Sequence, residues 1–229
     1  MELDSFRRSI ERQAQVMEIG GFRPDLEKSS SWFGKVMLGG DGEQWPMSGD
    51  KPMIALAQVN LKEFPLPVDG LEEYEFISIF MSQTDLPIDT ANGEGWELRA
   101  YTKISELKTI ERPSIKSSIK ELPMRVRNTQ SDYPCWEDVP MPVPEELDED
   151  YYELFENLGG FKFGGWPTLI QSEIEWSSKS KRIEGPKYIF QIDSSEKANW
   201  SWGDNGVGYF GRIPEAGKIT SWELDWQCY

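Results

Sequence analysis

The chain has 229 residues, with 40 acidic against 24 basic side chains and a formal net charge of −16, a balance that argues against nucleic acid or an anionic membrane as a partner, since both demand Lys and Arg to neutralise phosphate. It contains no histidine, which removes Ser-His-Asp and Cys-His nucleophilic machinery, histidine general-base chemistry and most zinc or iron sites. Carboxylate chemistry, a Lys or Tyr base and oxygen-ligated hard cations remain open.

A hydrophobic content of 38% that includes ten tryptophans predicts a packed core whose indole N–H groups need acceptors. The N-terminal stretch is amphipathic, without the apolar stretch or cleavage site of a signal peptide. Cys135 and Cys228 in that context point to a reducing, cytoplasmic setting.

In chain order, Asp4 or Ser5 can cap a first helix in which Phe6, Ile10, Ala14 and Met17 recur at helical spacing, ended by Gly20-Gly21. Phe33-Gly34 and Trp45-Pro46 follow, then a strand "IALAQVNL" carrying Gln58 and Asn60, then an aromatic strand "EYEFISIFMS". "GWELRAYTKISEL" suggests a further strand. Prolines 113, 123, 134, 140, 142 and 144 predict an extended connector with a short strand near Met124–Val126. A second helix is expected over about 145–158, with Leu147, Tyr151, Leu154, Phe155 and Leu158 as its apolar stripe and Gly159-Gly160 as its stop. Phe163-Gly164, Trp166-Pro167, the strand "YIFQIDSS" with Gln191 and Asp193, and the segment "GVGYFGRI" then repeat the earlier order. The C-terminal "KITSWELDWQCY" alternates as a final strand.

The ordered matches "IGGFR"/"LGGFK", Trp-Pro/Trp-Pro and Gln58/Gln191 imply an internal duplication. The chain reads as one domain over 1–229, built of halves at about 1–98 and 144–229 joined by a Pro-rich connector at about 99–143.

Charge is arranged in blocks. Nine acidic residues and no Lys or Arg lie between Glu63 and Glu97, and ten acidic residues with no basic one lie between Asn128 and Gly160. Ordinary solvation explains such blocks; the alternative is an acidic surface that steers a basic protein. The glycines of "WSWGDNGVGYFG" fall in the wrong order for a dinucleotide loop and precede a strand rather than a helix. Asp204 with Asp193 lacks the oxygen-ligand series of a calcium loop, so Asp-Asn-Gly reads as a turn with Asp204 pinning it. Glu145 and Glu149 share a helical face and do not oppose each other across a cleft, as paired carboxylate catalysis requires. Gln58 and Gln191 sit at matching strand positions inside apolar runs; each needs its amide satisfied, either by backbone or by a ligand between the repeats.

"SSWFGK", "EQWPMSGDKPMIALAQVNL", "GGFKFGGWPTLIQ", "YIFQIDSS" and "WSWGDNGVGYFG" together resemble the YwqG-like family, a bacterial domain of unknown function, from about Ser30 to Arg212. The first small-residue segment departs from the family pattern as Phe33-Gly34-Lys35. The family's usual His before the second Gly-Gly is absent, with Phe161 or Lys162 nearby. The resemblance implies an α+β fold with mixed, largely antiparallel sheets and pseudo-duplicated halves, each a helix followed by strands. It also implies an association with bacterial toxin and immunity genes.

Two readings of function follow. The first is a cytoplasmic, non-enzymatic immunity protein without cofactor or metal that neutralises a basic toxin. It would do so through Asp69, Glu72, Glu73, Glu145, Glu146, Asp148, Glu149 and Asp150, with Tyr151, Tyr152 and Trp136 as aromatic anchors. The alternative is a small-molecule-binding module or enzyme with a pocket between the repeats, near Trp45, Gln58, Trp166, Gln191, Asp193 and Asp204.

Overall fold

The computed structural model describes residues 3–147, 149–176, 185–213 and 221–229. The first helix is shorter than its apolar spacing predicts: α1 (Leu3–Ile10) gives way at once to the extended strand β1 (Arg12–Ile19). Ala14 and Met17 are buried as expected, but from a strand. β1 is hydrogen-bonded on both edges, and that pairing outweighs the local preference. Gly20 and Gly21, at φ +58° and +86°, therefore turn the chain out of a strand and not out of a helix.

Short strands β2 (Trp32–Phe33), β3 (Leu38–Gly39), β4 (Met47–Ser48) and β5 (Lys51–Pro52) precede β6 (Ile54–Asn60), β7 (Phe76–Met81) and β8 (Trp96–Tyr101). After β9 (Lys108–Thr109), the short strand expected near Met124 extends over eleven residues as β10 (Leu122–Asp132). The second helix shrinks to a 3-10 turn at Glu145–Leu147 and the single turn α2 (Tyr151–Leu154). Like charges four apart, Glu145/Glu149 and Glu149/Glu153, oppose a longer helix. Its apolar side survives nevertheless: Leu147, Tyr151 and Phe155 pack with Phe6, Ile10 and Tyr133 in a satellite core. β11 (Phe161–Gly164), β12 (Lys187–Asp193), β13 (Val207–Ile213) and β14 (Ser221–Gln227) complete the chain.

The fold is mainly β, with only 11% of the chain helical, which overturns the α+β expectation. Ten strands form one antiparallel, nearly closed barrel in the order β14-β13-β12-β11-β1-β10-β2-β6-β7-β8. The two expected helices shrink because most of their apolar residues serve the barrel or its satellite core. The same pairing pattern runs outward on both sides of the central β1–β10 pair. β2 places Trp32 opposite Gln58 on β6, and β11 places Lys162 opposite Gln191 on β12. The first strands are exchanged: β1 pairs with β11 and β10 with β2.

The outer strands approach each other across the seam. Trp226 Nε1–H donates to Pro87 O at 2.7 Å, and Arg212 hydrogen-bonds Gly70 O and ion-pairs with Glu73. Inside, Phe190 stacks on Phe210 at 4.5 Å and on Phe163 at 4.8 Å. The hydrophobic effect on these large rings is the main force holding the barrel.

Candidate functional site

The residues expected around a pocket do not converge on one. Trp45 is buried on Phe80, its indole N–H donating to Met53 O at 2.7 Å. Gln58 is fully buried and its amide is satisfied by backbone: Met37 N–H donates to its Oε1 at 2.7 Å, and its Nε2 donates to Lys28 O and Ser30 O at 2.9 and 2.6 Å. Asp204 stands exposed on the hairpin before β13, and the turn is closed by Gly206 N–H donating to Trp202 O at 2.9 Å. The pinning role therefore belongs to backbone, with Gly203 at φ +56° and Asn205 at φ +54°, not to the Asp204 carboxylate.

Trp166, Gln191 and Asp193 do come together, around a buried ion pair that no sequence motif announced. Asp132 and Lys162 are both fully buried, with Lys162 Nζ donating to Asp132 Oδ2 at 3.0 Å. The same carboxylate accepts Trp166 N–H and Leu158 N–H, each at 2.7 Å. Gly165, at φ +68°, passes so close that a Cβ would lie 2.1 Å from Asp132 Oδ2. The "GGWP" signature is thus explained by backbone approach to a carboxylate. Gln191 accepts from Thr168 N–H at 2.9 Å and donates to Asp193 Oδ1 at 2.7 Å, while Asp193 Oδ2 accepts Gly160 N–H at 2.6 Å. Burial lowers the Lys162 pKa against the pull of Asp132, and burial raises the Asp193 carboxyl against its two hydrogen bonds. The arrangement ties loop ends to the sheet; every polar atom named has a protein partner.

The acidic residues separate into two regions. Asp69, Glu72 and Glu73 are exposed on the loop between β6 and β7, where Glu73 is already paired with Arg212. Glu145, Glu146, Glu149 and Asp150 are exposed around α2; Asp148 lies outside the described residues. Tyr151, expected as a surface anchor, is fully buried, and its hydroxyl donates to Pro134 O at 2.9 Å. Trp136 and Tyr152 are exposed at 39% and 65%, and Tyr152 OH donates to Glu137 Oε2 at 3.1 Å. The fold thus joins residues fifteen apart into one acidic, aromatic platform, seated on the satellite core.

A cavity of about 740 Å³ lies between β1, β12 and the loop preceding β7, lined among others by Arg12, Gln15, Asp69, Phe163, Lys187 and Tyr188. None of the six residues expected at a pocket lines it, although Trp166 lies beneath the Arg12 guanidinium, 3.3 Å from ring centroid to carbon. Arg12 was hidden by its place next to an expected helix stripe, Lys187 belongs to no recognisable motif, and Tyr188 opens the "YIFQIDSS" strand, in which only Gln191 and Asp193 stood out.

No curated protein matches the chain. The model of a family described as a domain of unknown function, DUF1963, matches residues 36–216. That span takes in β3 to β13, the buried Asp132–Lys162 pair, Gln58 and Gln191, and the acidic platform. The chain belongs to the DUF1963 family.

Proposed function

We propose that this protein is a non-enzymatic, cytoplasmic protein-binding protein whose acidic platform at 136–153 engages a basic protein partner. The observation that carries this reading is the placement of Trp136 and Tyr152, both exposed, within a stretch that has no Lys or Arg from Asn128 to Gly160. Carboxylates steer a basic partner to the surface and exclude like-charged competitors, while exposed Trp and Tyr supply the apolar contacts that dominate affinity at interface centres. The burial of Tyr151, Leu147 and Phe155 beneath the platform fixes its shape before binding, which lowers the ordering cost of association. The 69–73 region is a weaker candidate, because Glu73 is already engaged by Arg212.

More specifically, the partner is a toxin and the protein its immunity factor, as the resemblance to the YwqG-like family implies. Co-expression with candidate toxins encoded beside the gene tests this. Rescue of growth by the parent chain is expected, with rescue lost in a Glu145→Lys, Glu146→Lys, Glu149→Lys variant and weakened by Trp136→Ala or Tyr152→Ala. Rescue that persists in all these variants would move the interface elsewhere, and no rescue by the parent would remove the immunity role.

A further inference from the structure

We propose that the cavity between β1 and β12 binds a small molecule carrying a single carboxylate on an apolar body, with Arg12 as the carboxylate-binding residue. This site is separate from the acidic platform and does not depend on its function.

The cavity opens where β11 leaves the sheet. Pairing of β1 with β11 ends at Ala14–Gly164, and pairing of β11 with β12 ends at Phe163–Phe190. Arg12 and Gln13 on one strand and Lys187 and Tyr188 on the other therefore border a gap in the barrel wall. The loop carrying Leu66 and Val68 covers it, held by Gln15: Nε2 donates to Leu66 O at 2.7 Å and Oε1 accepts Leu66 N–H at 3.1 Å. Phe163, Val68 and Ile189 supply apolar lining. Its volume falls in the range of small-molecule sites, about 300–1,000 Å³.

Arg12 distinguishes this cavity from a packing gap. Four other arginines stack on aromatic rings: Arg99, Arg125 and Arg212 are each also paired with a glutamate, Glu97, Glu18 and Glu73, while Arg7 lies over Phe155 and does not line the cavity. Arg12 stacks on Trp166 but has neither an ion pair nor a hydrogen bond among the described residues. Its guanidinium is thus oriented by the ring while its donors remain open to an acceptor. Arg12 stands exposed at the rim of the cavity, and its partial desolvation lowers its pKa, with Asp132 and Asp69 offsetting only part of the effect, so an added anion would stabilise the charge.

Charge selects the ligand class. Arg12 and Lys187 against Asp69 leave one net positive charge at the cavity, in a chain whose total is −16. A monoanion matches that balance, whereas a phosphate dianion would meet Asp69 uncompensated. The matching place in the other half of the barrel is filled, and the cavity of about 370 Å³ in that half lies at the opposite end of β2, lined among others by Ser30, Ser31 and Met124. Phe33 on β2 faces Leu122 as Phe163 on β11 faces Gln15, so the position matching Arg12 is Ile119. Ile119 is buried in the main core, and Lys120 N–H donates to Ala198 O at 2.8 Å beside it.

Isothermal titration calorimetry of the full chain tests the proposal with 2-naphthoate as probe, 2-naphthamide as its neutral twin and inorganic phosphate as the anion alone. One saturable naphthoate site is expected, with the amide and the Arg12→Gln variant each weaker by about tenfold, the loss of one charge-assisted hydrogen-bonding group. Asp69→Asn should tighten binding, Lys187→Gln should weaken it less than Arg12→Gln, and Arg125→Gln should leave it unchanged. Thermal melting of each variant reports folding; if Arg12→Gln does not fold, the Asp69→Asn effect and the amide comparison still decide. Absence of naphthoate binding, equal binding of acid and amide, an Arg12→Gln affinity equal to the parent in a folded protein, or competition by phosphate would each overturn it.

Discussion

Gln58 and Gln191 occupy the same place in the two halves of the barrel, yet they hold their surroundings by different means. Gln58 clamps the loop around β2 through three backbone partners. Gln191 holds Thr168 through one backbone and one side-chain partner, and is joined to Asp193 and Tyr188 beside a buried Lys–Asp pair. The first half is sealed by Ile119 at the register position where the second half carries Arg12 and a cavity. One strand framework thus supports a filled position on one side and an open one on the other, and the difference lies in a few side chains at the points where β2 and β11 leave the sheet.

Breaking the second half at its ion pair should have the largest effect. Asp132→Ala leaves Lys162 without its counter-ion, with only Thr168 Oγ1 as acceptor, and strands two backbone N–H groups in the core, and a loss of about 3–5 kcal/mol in urea unfolding is expected. A loss below about 1 kcal/mol would mean that the carboxylate does not organise this side.

The glutamines compare the halves directly. Gln58→Leu and Gln191→Leu should each destabilise by about 1–3 kcal/mol per polar group stranded without water. Gln58→Leu should cost more, because its partners are backbone atoms fixed by strand and loop, whereas Thr168 Oγ1, Asp193 and Tyr188 can turn to other acceptors or donors. Equal losses would show that the extra side-chain network of the second half is as rigid as backbone.

A pH titration sharpens the same contrast. Burial raises the Asp193 pKa in the folded state, so the folded chain retains a proton that the unfolded chain has released. Stability should therefore fall as pH rises from the ordinary carboxylate value through the raised one. Asp193→Asn should remove that slope, and a parent-like slope in this variant would assign it to another group. The smallest effect is expected at the seam. Glu73, whose side chain is 46% exposed, accepts from Arg212, which lowers its pKa; Glu73→Gln should change thermal stability by less than about 1 kcal/mol.

How much of this was legible in the sequence depended on the kind of pattern. The β-strands around Gln58 and Gln191 stood out because each is a short, nearly continuous apolar run interrupted by one glutamine. The expected helices failed for two separate reasons. Ile10 is helical as expected, but Ala14 and Met17 fit helix and buried strand alike, and only pairing on both edges of β1 decides between them. Over 145–158 the apolar stripe was real, but like charges and a satellite core needing only Leu147, Tyr151 and Phe155 permitted a single helical turn. Arg12 escaped notice because its chemistry depends on Trp166, 154 positions later and brought beneath it by the exchange of first strands. Tyr151 and Tyr152 were indistinguishable by type, and the fold buried one and exposed the other.

The sequence by itself determined the strands that carry Gln58 and Gln191, the ordered recurrence of Trp-Pro and glutamine signatures, the acidic, base-free stretch around 136–153 and the absence of histidine chemistry, since each is fixed by composition or short-range periodicity. Only the tertiary structure decided that β1 is a central strand, that Asp132 and Lys162 meet in the core, and that Arg12 is left on a tryptophan at the edge of a cavity. These depend on residues far apart in the chain, and the energy that places them comes from sheet closure and burial, which no local window contains.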